Sequence, residues 1–161
     1  MSDTKGLKKV MEMIDDNRTC MLVTVDEHSE LRSRPMGTAG TKDDCIYFFT
    51  DRYSGKLNEI REDSSVNLAY SNPDSNDYLS VSGTAQILEN SKLVDEMWSP
   101  FMKAWFPKGK ESERLRLLKV TPKRAEYWDA SSSKIVELFK MGKAIATGTK
   151  YNSGEHEKVA V

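Results

Sequence analysis

One stretch of the sequence, residues 45–62, constrains the fold more than any other. It opens with the run I-Y-F-F-T at residues 46–50, in which every residue is β-branched or aromatic, as is typical of a well-packed strand. A short turn follows, and Ser54 precedes a segment in which Leu57 and Ile60 have helical spacing. The stretch therefore predicts a buried strand, a tight turn and the start of a helix.

Lys56 has an unusual position, because it lies in the first turn of the predicted helix. A cation there opposes the positive end of the helix dipole. An anion bound at this helix end would remove that cost, since the free backbone N–H groups, Ser54 and Lys56 would converge on it. Two interpretations stay open at this point: a solvated surface lysine, or part of an anion-binding site.

The composition is that of an ordinary soluble domain. The chain has 161 residues, of which 38% are hydrophobic and 30% charged, and its formal net charge is -1. One domain is expected at this length, and there is no basic field to attract nucleic acid or an anionic membrane. No apolar run approaches a membrane span, and the first residues lack a signal-peptide pattern. We therefore expect a cytoplasmic protein that binds neither nucleic acid nor membranes.

The cysteines and histidines do not predict a metal site. Cys20 and Cys45 lie in strand-like segments, so we expect buried free thiols rather than a disulfide. His28 lies in a polar turn and His156 in a polar tail, and neither has a partner at the spacing of metal ligands. We predict that the protein holds no metal ion.

The rest of the chain is dominated by strand patterns. Residues 4–16 predict an amphipathic helix, and residues 131–145 predict a C-terminal helix. Strands are predicted at residues 20–25, 31–38, 46–50, 66–71, 78–88, 115–120 and 125–128, with a turn at Thr121 and Pro122 and a bulge or bend at Gly83. We expect a mainly β fold in which about six antiparallel strands form a small closed barrel with peripheral helices. Residues 1–150 form a single domain in this prediction, and residues 151–161 form a polar, disordered tail.

The predicted strand at residues 31–38 (L-R-S-R-P-M-G-T) carries two arginines on one face. Strict alternation places Arg32, Arg34 and Met36 on that face. Pro35 cannot donate a ladder hydrogen bond, so this strand lies at an edge, is bulged, or faces something other than a strand. The arginines are either solvated edge charges or an anion clamp, for which guanidinium geometry is well suited.

One composite pattern carries the candidate chemistry: an R-x-R strand, a strand ending in F-F-T, and a helix opening with S-G-K. The sequence has no Ser-His-Asp order, no P-loop and no G-x-G-x-x-G motif. If the two strands pair, Arg34 and Lys56 face one pocket. This pocket would hold a phosphate at one end and a planar body along the backbone of residues 35–37 and 49–50. FMN fits this description, and so does any phosphorylated aromatic small molecule.

The runs R-P-M-G, Y-F-F-T-D-R-Y-S-G-K and A-E-Y-W-D together resemble the pyridoxamine 5′-phosphate oxidase-like FMN-binding split barrels. The W-F-P-K-G segment and the A-E-Y-W-D ending point to the general stress protein branch of that superfamily. The resemblance covers about residues 5–130. It implies a six-stranded antiparallel split barrel and a homodimer with FMN at the subunit interface, FAD being the less favoured cofactor.

The resemblance also implies which residues bind the flavin. At the phosphate end these are Arg34, Ser54, Gly55 and Lys56. Along the isoalloxazine they are Pro35, Met36, Gly37, Phe49, Thr50 and, from the partner subunit, Trp128. Phe49 and Thr50 would contact the flavin through backbone atoms and the Thr50 hydroxyl. No catalytic side chain is assigned.

The sequence departs from the pyridoxamine phosphate oxidases at the substrate end. Ala39 stands where those enzymes carry a lysine for the substrate phosphate, Tyr78 stands where they carry a glutamine, and no R-x-H element follows Trp128. This argues against vitamin B6 synthesis. A flavin-dependent oxidoreductase of unknown substrate is the leading interpretation, and a non-catalytic flavin carrier or stress-linked sensor is the alternative. A barrel that binds haem or a deazaflavin, or that binds nothing, also stays open.

Overall fold

The chain consists mainly of β-strands in the computed structural model, which describes residues 4–130, 141, 143–148, 150 and 155–161. In chain order the elements are α1 (Thr4–Asp16), β1 (Thr19–Val25), β2 (Leu31–Lys42), β3 (Cys45–Asp51), α2 (Gly55–Glu62), β4 (Ser65–Asn72), β5 (Asp77–Leu88), α3 (Ser91–Met97), two 3-10 helices (Pro100–Ala104 and Gly109–Glu111), β6 (Leu115–Asp129) and β7 (Glu155–Ala160). The predicted mainly β fold with peripheral helices is confirmed.

Six of the strands close into an antiparallel barrel. Neighbouring strands pair in the order β3-β2-β1-β4-β5-β6, and β6 pairs with β3 to complete the ring. Only the first part of β6, from Leu115 to Val120, pairs with β3. The last part, from Arg124 to Asp129, pairs with β7 instead. The closed six-stranded barrel expected from the sequence is therefore confirmed, and β7 extends it at one edge.

The barrel interior is filled by large apolar side chains that alternate along the strands. Leu22, Phe48, Leu68, Val81 and Leu118 are fully buried, at 0% exposure. The amphipathic helix α1 adds Val10 and Ile14 to the same core, and α2 adds Leu57 and Ile60. Full burial of one such side chain contributes about 1.5–3 kcal/mol, so this core is the main source of stability.

Strand β3 is buried on both faces, which explains its continuous apolar run. Its second face packs Tyr47 and Phe49 against Phe106, Leu115 and Leu117. The ring of Phe49 also meets that of Trp98 edge-on, with centroids 5.7 Å apart and an interplanar angle of 68°. The segment from α3 to the second 3-10 helix thus covers the outside of the barrel at β3.

The structure confirms the irregularity at Gly83 and corrects the predicted turn after residue 120. The register between β5 and β6 shifts between Ser82 and Gly83, and a Cβ added at Gly83 would lie 2.2 Å from the carbonyl oxygen of Thr121. The predicted break at Thr121 and Pro122 is wrong, because β6 continues through both residues. Pro122 lies between the part of β6 that pairs with β3 and the part that pairs with β7, so neither ladder requires an N–H from it.

The C-terminal residues also differ from the expectation. Strand β7 pairs with β6 from Arg124 opposite Ala160 to Asp129 opposite Glu155, and Val159 is 2% exposed. The prediction of disorder is therefore wrong for residues 155–160, because β6 offers an open edge beyond Val120 that the local sequence does not reveal. The predicted helix at residues 131–145 lies mostly outside the described residues. Among the helices that are described, none has the length and apolar character needed to cross a membrane.

Candidate functional site

The ladder between β2 and β3 ends before the two strands do. It runs from Lys42 opposite Cys45 to Thr38 opposite Phe48. Beyond Thr38, residues 31–37 of β2 are paired with β1, and residues 49–51 of β3 are paired with β6. Among the described residues the strands therefore diverge and leave a gap between two backbone edges that no other described strand pairs with, which is the split of the barrel. Pro35 lies on this gap, as predicted for a residue that cannot donate to a ladder.

The ammonium group of Lys56 lies beside this gap, at the end of β3. Its Nζ donates to Thr50 Oγ1 at 3.0 Å and to Ser54 Oγ at 2.6 Å. Ser54 occupies the N-cap position of α2, as predicted, but its hydroxyl does not cap the helix. The three side chains instead form one hydrogen-bonded group at the open end of α2.

Lys56 is a half-buried cation, and the part of the chain that the structure describes holds no ion pair for it. Burial, followed by the charge of Arg34, lowers the pKa of Lys56, although Asp51 and Glu59 act in the opposite direction. Two neutral hydroxyl groups do not balance a charge that has lost much of its water. A bound anion would balance it. Lys56 is thus a partly buried cation rather than a fully solvated one, and its role in an anion site stays a prediction.

Arg34 is held in place by two residues that the sequence analysis missed. Its Nη2 donates to Glu59 Oε2 at 2.7 Å, and its Nη1 donates to Thr24 Oγ1 at 2.5 Å. Thr24 Oγ1 in turn donates to Glu59 Oε2 at 2.5 Å. Burial raises the pKa of Glu59, but the hydrogen bonds from Thr24 and Arg34 lower it by more. The net shift is therefore downward. Glu59 follows Lys56 at the i, i+3 spacing of one helix face, which is the signal that would have pointed to it.

The remaining predicted residues border the gap in different ways. A Cβ added at Gly37 or Gly55 would meet no protein atom within 4 Å, so both glycines face open space. Pro35 is exposed on the same edge. The side chains of Met36 and Phe49 pack into the two apolar clusters, which leaves their backbone atoms for the gap. Ligand binding by these residues stays a prediction.

Trp128 does not join this group within one chain. Thr50 pairs with Arg116 near the start of β6, whereas Trp128 lies near its end. The Trp128 indole is 38% exposed and stacks on the His156 ring, with centroids 5.0 Å apart and an interplanar angle of 8°. A role for Trp128 at the gap therefore requires a second subunit, as the sequence analysis expected.

The thiols are placed as expected. Cys20 and Cys45 are free and buried. Burial raises the pKa of Cys20 to about 12, so this thiol stays protonated and unreactive. Over the described residues, His, Cys, Asp and Glu side chains form no group of three or more that could hold a metal ion.

The architecture is a closed six-stranded antiparallel barrel with a split edge and a half-buried lysine beside it. A family model described as "Pyridoxamine 5'-phosphate oxidase like" matches residues 5–152, so the chain belongs to the pyridoxamine 5′-phosphate oxidase-like family. General stress protein 26 of Bacillus subtilis (strain 168) is 29% identical over 134 residues, which are 81% of this chain and 94% of that protein. The resemblance to this family and its general stress branch is confirmed.

Two solved structures are similar to this chain. A structure from Jannaschia sp. CCS1 covers 98% of this chain and 99% of its own, with a TM-score of 0.82 and 23% identity, which shows the shared fold. The general stress FMN/FAD binding protein from Xanthomonas citri is 28% identical, with a TM-score of 0.69, and the match covers 81% of this chain and 93% of that protein.

Proposed function

We propose that this protein binds FMN in the gap between β2 and β3 and acts as a flavin-dependent oxidoreductase on a small molecule. The observation that carries the proposal is Lys56, a half-buried cation whose Nζ donates to two hydroxyl groups and forms no ion pair with the described residues. A phosphate group would supply the missing negative charge and accept strong, charge-assisted hydrogen bonds. The flavin-binding relative from Xanthomonas citri supports a flavin as the ligand.

Each part of the site has its own task in this proposal. Lys56 and Arg34 bind the phosphate, together with the Ser54 hydroxyl and the N-terminus of α2 at Gly55. Residues 35–37 and 49–50 border the isoalloxazine, because their open backbone edges offer hydrogen-bonding groups that no strand satisfies. The bound FMN would supply the electron and hydride transfer, while the chain orients it and limits the access of water.

A homodimer is part of the proposal. The outer face of the barrel carries exposed apolar side chains, among them Met21 (40% exposed), Leu31 (75%) and Tyr78 (39%). One cross-strand row on this face runs through Pro35, Met21, Ala69, Ser80 and Glu126. A twofold axis parallel to the strands exchanges the two ends of this row between subunits. Trp128 lies two residues beyond Glu126 on the same face, so Trp128 of the partner subunit would come close to the gap beside Pro35.

The absorbance spectrum of the purified protein tests the proposal, with the released ligand identified by mass after heat denaturation. A flavin spectrum with FMN in the supernatant supports it. A haem spectrum, or a colourless protein that does not bind added FMN, contradicts it. If bound flavin, once reduced, is reoxidised no faster by added acceptors than by air, the protein is a flavin carrier rather than an oxidoreductase.

A further inference from the structure

His156 is held on the outer face of the barrel by two contacts of different kinds. Its imidazole ring stacks on the Trp128 indole, with ring centroids 5.0 Å apart and an interplanar angle of 8°. Its Nε2 lies 2.7 Å from Glu126 Oε1 on the same neighbouring strand. His156 and Trp128 are direct cross-strand partners in the ladder between β7 and β6. The stack and the polar contact together fix the orientation of both rings.

The two faces of β7 make different contacts. On one face, Glu157 Oε2 accepts a hydrogen bond from Tyr127 Oη at 2.7 Å, and Val159 packs into the main core at 2% exposure. On the other face, the His156 side chain is 48% exposed. Strict alternation along a strand separates these two sets of side chains. One face of β7 therefore attaches the strand to the core, while the other presents the Trp128–His156 pair outward.

The Trp128–His156 pair lies in the cross-strand row that begins at the gap. This row is the neighbour of the one that runs from Pro35 to Glu126, two residues further along each strand. The register between β1 and β4 carries it on from the pair Cys20–Tyr70. Its members, from β2 to β7, are exposed in the single chain: Gly37, Thr19, Ser71, Tyr78, Trp128 and His156.

Building on the proposed function, we infer that His156 is a positioning residue of the flavin site, which holds the Trp128 indole of its own subunit against the isoalloxazine bound in the partner subunit. A twofold axis parallel to the strands exchanges the two ends of each row and keeps their level along the strands. The Gly37 end of one subunit then meets the Trp128–His156 end of the other. A Cβ added at Gly37 would meet no protein atom within 4 Å, so there is room for a ring between them.

This contact acts on the ring end of the ligand and not on its phosphate end. FMN and riboflavin share the isoalloxazine, so a change at His156 should affect both ligands alike. His156→Ala removes the ring that orients Trp128, and we expect both flavins to bind about three- to tenfold more weakly, the range for one aromatic contact. His156→Phe keeps a ring over Trp128 and should restore both affinities to within about twofold of the native values.

Glu157→Gln is the matched control for a substitution in β7. It changes the residue next to His156 on the opposite face, and it keeps an amide oxygen that can accept from Tyr127. We expect native affinity for both flavins in this variant, measured by calorimetric titration of the flavin-free protein. Equal losses in Glu157→Gln and His156→Ala, or no rescue by His156→Phe, would show that β7 acts only as a structural strand and would overturn the inference.

Mixed dimers test whether the contact is made between subunits. Lys56→Ala and His156→Ala chains are co-expressed with two different tags, and the heterodimer is purified through both tags in turn. One of its sites combines the native gap of the His156→Ala chain with the native β7 of the Lys56→Ala chain. The other site carries both changes. We expect half of the sites in the heterodimer to bind FMN with native affinity, although neither homodimer does.

The possible outcomes separate the inference from the proposed function. A heterodimer without a native-affinity site, or a native monomer that binds FMN, would overturn the positioning of Trp128 between subunits while leaving flavin binding intact. Native flavin affinities in His156→Ala would overturn it as well. Failure of the native protein to bind either flavin would instead remove the proposed function itself.

Discussion

The Arg34 guanidinium and the Glu59 carboxylate form an ion pair, with Arg34 Nη2 2.7 Å from Glu59 Oε2, and Thr24 Oγ1 is bonded to both. This pair ties the open edge of β2 to the helix that carries Lys56. The arginine expected at the phosphate is therefore already oriented by the fold, with only 23% of its side chain exposed. Site geometry and stability are coupled through this one contact.

Replacing Glu59 should destabilise the fold. Glu59→Ala removes the carboxylate that accepts from Arg34 Nη2 and from the buried Thr24 hydroxyl, and we expect a loss of about 1–2 kcal/mol in the free energy of unfolding. Urea denaturation of the native protein and the variant measures this loss. Glu62→Ala on the same helix is the control, because Glu62 is exposed. Equal losses in the two variants would show that the Arg34–Glu59 pair contributes nothing measurable.

Removing either cation of the site should weaken FMN binding and spare riboflavin. We expect Lys56→Ala or Arg34→Ala to cost about 1.5–3 kcal/mol in FMN affinity, the range for hydrogen bonds to charged groups. Riboflavin lacks the phosphate, so its affinity should change little in either variant. Arg61→Ala, an exposed arginine of α2, serves as the control. Calorimetry with both ligands decides the matter, and equal losses for the two would place the phosphate elsewhere.

FMN affinity should decline at alkaline pH. Burial and the charge of Arg34 lower the pKa of Lys56, so its ammonium group loses its charge at a lower pH than an ordinary lysine, whose pKa is about 10.4. FMN binding relative to riboflavin should therefore weaken in the alkaline range, at a lower pH than the titration of an ordinary lysine. Lys56→Arg keeps its charge over this range and should remove the decline. A decline of the same size in Lys56→Arg would assign the titration to another group.

Replacing Gly37 with a larger residue should weaken flavin binding without lowering the stability of the fold. A Cβ there meets no protein atom within 4 Å, so Gly37→Val should leave the free energy of unfolding unchanged or raise it by up to about 1 kcal/mol. The added methyl groups would occupy the space assigned to the isoalloxazine. We therefore expect weaker binding of FMN and riboflavin alike, measured by flavin titration. Native affinity for both would show that the ring lies elsewhere.

The protein should sediment as a dimer, and a charge on the outer face should dissociate it. Leu31→Asp places a carboxylate on the proposed interface, and we expect a monomer with reduced flavin affinity. Phe101→Asp is the control, because Phe101 is 85% exposed and lies in the 3-10 helix that follows α3. Analytical ultracentrifugation measures the oligomeric state of the native protein and of both variants. A native monomer that binds FMN tightly would contradict a site shared between subunits.

Local patterns in the sequence were enough to predict several parts of the molecule. The run at residues 46–50 and the S-G-K opening are continuous, so β3, its turn and α2 follow from neighbouring residues alone. Gly83 and Pro35 marked a register shift and an open edge, because glycine has no Cβ to clash with a neighbouring strand and proline has no N–H to donate to a ladder. The grouping of Thr50, Ser54 and Lys56 likewise depends on residues close together in the chain, which the structure joins by hydrogen bonds.

Other parts were decided only by the tertiary structure. Glu59 reads as an ordinary helix carboxylate until the fold brings it against Arg34 and Thr24, which lie on two different strands. The C-terminal segment reads as a polar tail, yet it forms β7 because β6 has an open edge beyond the residues that pair with β3. The physical reason is the same in both cases. A local pattern specifies backbone conformation and the face of an element, but ion pairs and strand partners depend on which groups the rest of the fold leaves unsatisfied.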